Sequence, residues 1–108
     1  MKDVGKILTN NGFKYHNCSK YSNSLVVEDL EIVNHESIID YITVSKNSLG
    51  IFINFKDSVP QTPNFGLDFD ISGYKYFFHG YVDIHFLDEN DFIEELQRLN
   101  STGLNIKG

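Results

Sequence analysis

Asp83 and His85 are the side chains of this sequence whose types and spacing come nearest to chemistry. On a strand, Asp-x-His puts a carboxylate and an imidazole on one face, about 7 Å apart. Such a pair can ligate a metal or share a proton. A metal needs a third ligand, and the sequence identifies none. His79 lies about 13 Å from Asp83 along an extended strand. The four histidines, His16, His35, His79 and His85, stand beside six tyrosines and nine lysine or arginine side chains. These types suit ribonuclease-like acid–base work, but no spacing fixes their geometry. Cys18 neighbours Lys20, which favours a thiolate, and His16 is close in sequence. No family-type context surrounds that Cys/His pair, so it reads as an ordinary free thiol. Phosphate-binding glycine loops, zinc-protease helices and serine nucleophile elbows are absent. The expectation is therefore no catalytic residue, no cofactor and no metal.

The same stretch reads more readily as a surface. Phe77, His79, Tyr81, Asp83 and His85 share one parity, and Asp68 and Asp70 fall on the preceding strand. A Ser72-Gly73 hairpin turn sets Asp70 opposite Lys75 and Asp68 opposite Phe77. One reading is a solvated sheet face with a cross-strand ion pair. The other is a protein-binding face, since aromatics mixed with polar groups suit an interface. Near the C-terminus, Asp88, Glu89, Asp91, Glu94 and Glu95 complement a helix dipole. As a carboxylate cluster they also resemble nucleic-acid phosphates presented to a basic protein. Asp91, Glu94 and Glu95 fall off the helix's apolar stripe and count as partner-facing.

The elements that must position these residues follow from periodicity. Val4, Ile7 and Leu8, followed by Asn10-Asn11-Gly12, predict a short helix over about 2–11. Phe13 and Tyr15 begin a short strand, and 17–23 is a polar loop. Residues 24–33 read as a strand with a bulge or turn at Glu28-Asp29. Residues 37–45 are dense in β-branched side chains and read as a strand. A helix over 35–42 capped by Asn34 is the alternative. Leu49, Ile51, Ile53 and Phe55 alternate as one strand face, and 57–64, with Pro60 and Pro63, is a loop.

Leu67, Phe69 and Ile71 then alternate with acids and serine. Tyr74, Tyr76, Phe78, Gly80, Val82, Ile84 and Phe86 keep period two without a slip. That parity favours one long strand through Gly80, with the glycine at a bend; a second hairpin at His79-Gly80 is the alternative. A helix over 89–100 has Asp88 as N-cap, a Phe92-Ile93-Leu96-Leu99 stripe and Gly103 as its stop. The expected core includes Leu67, Phe69, Ile71, Tyr76, Phe78, Val82, Ile84 and Phe92.

Composition agrees. The chain of 108 residues is 41% hydrophobic and 22% charged, the profile of one folded domain over 1–108. It has no alanine but 11 isoleucines and 9 phenylalanines, which favours sheet. The fold class is α+β: a mostly antiparallel sheet of five or six strands, with an N-terminal and a C-terminal helix packed on one face. One cysteine excludes an internal disulfide and suits a reducing compartment. No signal peptide and no membrane-spanning run is visible, so the expected location is cytoplasmic.

The net charge is −6, the wrong sign for a protein that grips phosphates. It is uneven: +3 over residues 1–24, −5 over 25–45 and −7 over 68–95. Together these features imply a small acidic inhibitor of a basic protein. An immunity protein neutralising a nuclease toxin, or an anti-defence inhibitor, is the expected kind, of bacterial or phage type. The expected partner is a basic protein, with no direct nucleic acid and no membrane. The alternatives are a metal-binding or hydrolytic enzyme using the His/Asp pair, and a structural subunit that dimerises by sheet packing.

Overall fold

The computed structural model describes residues 2–28, 30, 39–56, 68–71, 74–77, 81–102 and 105–107. For residues 55, 68–71, 74–77, 82, 101–102 and 105–107 this covers the backbone only. In chain order the elements are α1 (Val4–Asn10), β1 (Tyr15–Asn17), β2 (Ser24–Val27), β3 (Ile39–Ser45), β4 (Gly50–Phe55), β5 (Asp68–Ile71), β6 (Tyr74–Phe77), β7 (Tyr81–His85), α2 (Glu89–Thr102) and β8 (Asn105–Lys107).

Five strands form an antiparallel sheet in the order β1-β2-β3-β4-β7. Its register aligns Leu25, Val44, Ile51 and Ile84 in one row across four strands. All four are buried, together with Val27, Leu49 and Ile53. Both helices close over this face. Val4 and Leu8 of α1, and Phe92, Ile93, Leu96 and Leu99 of α2, join the same core cluster. Each such side chain, fully buried, contributes about 1.5–3 kcal/mol of transfer free energy. The α+β architecture is thus as the periodicity predicts, with a helix at each end of the chain on one sheet face.

The helix ends follow local chemistry. Asp3 caps α1 by accepting the Lys6 N–H at 3.1 Å. At the other end the Phe13 N–H reaches the Leu8 carbonyl and the Gly12 N–H reaches that of Thr9. This paired closure needs a left-handed residue, and Gly12 supplies it with φ of 82°. Asp88 caps α2 by accepting the Asn90 N–H at 2.8 Å. Backbone bonds from Lys2 and Val4 to the Asn47 and Lys46 carbonyls tie α1 to the β3–β4 turn.

Residues 39–45 are strand, which decides against the helical alternative there. Its portion over 35–38 lies outside the described residues, as do Asp29 and residues 31–33 of the expected second strand, Pro60, Pro63, Leu67 and the Ser72-Gly73 turn. A register shift at Asp40 separates Ile39 from Tyr41. It lets Ile39 pack on the core while Tyr41 joins the opposite face.

The long strand expected over 74–86 is corrected. Its two halves belong to different sheets. β6 pairs with β5, and β5 pairs with β8, in a separate three-stranded ladder. β7 instead pairs with β4 as the edge of the main sheet. Parity records which side chains share a face only if a strand is continuous; it does not choose the sheet. The hairpin register itself is as expected, with Ile71 opposite Tyr74, Phe69 opposite Tyr76, Asp70 opposite Lys75 and Asp68 opposite Phe77. Strand β8 carries no strong pattern and was not expected. Of the expected core, Ile84 and Phe92 are buried. Phe78 and Gly80 lie outside the described residues.

Candidate functional site

The face of the main sheet turned away from the helices carries the site. Register sets Thr43, Phe52 and Asp83 in one row, and Tyr41, Asn54 and Tyr81 in the next. Ser24, Ser45, Gly50 and His85 follow the same ladder on the other side. Alternation on five strands produces this polar and aromatic surface, because each strand's other parity fills the core.

Four rings form a continuous row. Tyr21 lies 5.8 Å from Tyr41 between centroids, Tyr41 lies 6.0 Å from Phe52, and Phe52 lies 5.4 Å from Tyr81. The last two pairs are within 26° of parallel, so Phe52 has a neighbour at both faces. Phe52 is therefore an inner ring, held between its neighbours. The row's ends are open, with Tyr21 47% and Tyr81 58% exposed. Lys20 sits with its ammonium 4.8 Å from the Tyr41 ring centroid, a cation–π contact.

The phenols of Tyr21 and Tyr41 share a hydrogen bond of 2.7 Å. Burial, the Tyr21 hydrogen bond and the nearby Tyr21 and Asp40 charges push the Tyr41 phenol from 10.0 up to about 12. The folded protein thus holds this proton more tightly than the unfolded chain. The associated stability is complete below about pH 10 and is lost as pH rises through about 12. Ultraviolet phenolate titration should show a tyrosine transition near pH 12. Tyr21→Phe should lower that late transition. If no phenol titrates above the ordinary value of 10.0, the proposed environment of Tyr41 is wrong.

Beside the row is an open groove of about 560 Å³. The 20–24 segment forms one wall, and Thr43, Ser45, Ser48, Gly50, Phe52, Asp83 and His85 line the rest. The Cys18 and Lys46 N–H groups bond the Ser24 and Asn23 carbonyls, which holds that wall in place. His85 Nε2 lies 3.1 Å from Asp83 Oδ1, with the two side chains 64% and 49% exposed. The His85 ring rests on Gly50, where an added Cβ would come within 3.1 Å of Nδ1. Gly50 thus serves a close approach within a strand. Thr43 is only 3% exposed, and nothing among the described residues hydrogen-bonds its hydroxyl.

The expected site residues divide among three places. Tyr81, Asp83 and His85 share the groove face. Phe77, Asp68 and Asp70 are on the separate ladder, and the strand beside β7 is β4. His79 lies outside the described residues. Asp91 and Glu94 are exposed on α2, in the layer that covers the opposite sheet face.

Glu95 is corrected: it is 3% exposed and bound by Arg98, whose Nε reaches both carboxylate oxygens at 3.1 and 3.3 Å. It follows Phe92 by one turn and precedes Leu99 by another, so it borders the stripe and is covered with it. Among the described residues no three histidine, cysteine, aspartate or glutamate side chains gather as a metal site. No hydroxyl there hydrogen-bonds His85. Sequence reasoning missed Tyr21, Tyr41, Phe52, Thr43 and Gly50. Strand parity marks Tyr41, Thr43 and Phe52 as opposite to Ile42, Val44, Ile51 and Ile53, so part of this face was readable.

Comparison with protein-family models, curated proteins and solved structures finds no match for this chain.

Proposed function

We propose that the chain is a small protein-binding inhibitor that captures a basic protein on the open face of its main sheet. The observation that carries this is the four-ring row Tyr21, Tyr41, Phe52 and Tyr81, packed ring against ring and open at both ends. Rigid tyrosines that present edges and hydroxyls suit a protein surface. The net charge of −6, with Asp40 and Asp83 beside the row, favours a partner of opposite sign. An immunity protein acting on a nuclease toxin, or an inhibitor of a defence protein, in the cytoplasm, is the kind this fits.

Reversal of Asp40 to lysine should slow association by roughly tenfold at low salt. At physiological ionic strength, reversal of Asp91 and Glu94 should change it far less, because they sit beyond the helical layer and screening there limits their reach to about 8 Å. Tyr81→Ala should raise the dissociation rate by roughly tenfold, since aromatic anchors act after encounter. The decisive experiment is recovery of partners from the native host with the wild-type protein and a Tyr21→Ala, Tyr81→Ala double variant as baits. A basic protein kept by the first and lost by the second supports the proposal. A partner held equally by both, or tight binding to RNA or DNA with no protein recovered, overturns it.

A second reading, hydrolysis with His85 as base, draws on the His85–Asp83 contact. Turnover of RNA abolished by His85→Ala would put that reading first.

A further inference from the structure

We infer that the groove beside the aromatic row is the seat of one arginine side chain of the partner. This rests on the reading of the face as a docking surface for a basic protein. Three features carry it. The Thr43 hydroxyl is buried and unpaired among the described residues, which a protein tolerates at a cost unless something arrives to satisfy it. Asp83 holds a half-exposed carboxylate on the same register row, with Oδ1 against His85 and Oδ2 left for a donor, and with Phe52 between the two residues. Thr43 and Asp83 thus stand two strands apart, about 10 Å between backbones, as acceptors on either side of an apolar floor.

A planar guanidinium with five donors in a fixed fork can bridge such a pair, while its methylene stem lies along the floor. An ammonium is a point donor and satisfies one side only. Lys20, which lines the same groove, keeps its own ammonium on the Tyr41 ring, so the arriving cation is drawn by Asp83 rather than by that ring.

The test needs no partner. The intact protein is titrated with Nα-acetyl-arginine amide, to about 50 mM, while backbone amide shifts are followed by NMR. Saturable shifts are expected at Thr43, Gly50, Phe52, Asp83 and His85. The neutral isostere Nα-acetyl-citrulline amide should produce none. Asp83→Asn should weaken the arginine response roughly tenfold. Thr43→Val should weaken it several-fold while raising Tm, because a buried unpaired hydroxyl is replaced by a methyl group of the same shape.

Equal shifts with citrulline, no saturable response to arginine, or a lowered Tm with unchanged binding for Thr43→Val would overturn the inference. If these arms fail while a partner is still lost by the tyrosine double variant, the docking face stands and only the arginine seat falls. If both fail, the docking reading falls too.

Discussion

Phe92→Ala should cost the protein about 3–5 kcal/mol of unfolding free energy, a large share of what a domain this size has to lose. Phe92 has no exposed surface and sits in the cluster where both helices meet the sheet. Its ring meets that of Phe86 edge-on, with centroids 6.0 Å apart at 66°. Removing it deletes that contact and leaves a cavity between α2 and the strands. The rigid strand ladder prevents full collapse into that space. Urea unfolding monitored by far-ultraviolet circular dichroism gives the number directly. A loss below about 1 kcal/mol would mean that α2 does not pack on the main sheet as described.

Glu95→Lys should be comparably damaging, at about 3–5 kcal/mol, whereas Glu94→Lys one residue earlier should stay within about 0.5 kcal/mol. Glu95 has a covered carboxylate that accepts the Arg98 guanidinium in a forked contact. A lysine there would bury an ammonium against that guanidinium, replacing attraction with repulsion in a poorly solvated place. Arg98 is about one-third exposed, so part of the cost is relieved by water, and Glu95→Gln should fall well short of the lysine variant. Thermal melts of the three variants separate these cases. Equal stability of Glu94→Lys and Glu95→Lys would show that Glu95 is not covered by the helix stripe.

Much of the architecture was legible in the residues because short-range rules govern it. Asp3 and Asp88 are caps whose carboxylates have orphan N–H groups to satisfy, and Gly12 ends α1 because a residue without Cβ adopts its left-handed backbone angle at no steric cost. Period two in residues 49–55 and 81–85 marked the strands and their buried sides. The Phe92-Ile93-Leu96-Leu99 spacing marked the inner face of α2. The Asp70–Lys75 register came from a two-residue turn, which sets pairing by geometry.

The candidate site was only partly legible. Tyr81, Asp83 and His85 were read correctly as sharing a face, because i and i+2 always do. Their neighbours were not. Side-chain alternation is identical whichever strand lies alongside, so nothing local made β4 rather than β5 the partner of β7. That choice brought Phe52 and Gly50 to Asp83 and His85. It also sent Asp68, Asp70 and Phe77 to another ladder.

The sequence by itself determined the helix ends, the strand faces and the acidic balance, since each follows from caps, period and composition within a few residues. Only the tertiary structure decided which strands are neighbours, that Glu95 is buried against the half-buried Arg98, and that Tyr21 reaches Tyr41 across twenty residues. Those outcomes depend on non-local packing, in which the whole apolar surface is minimised at once and no single segment carries the answer.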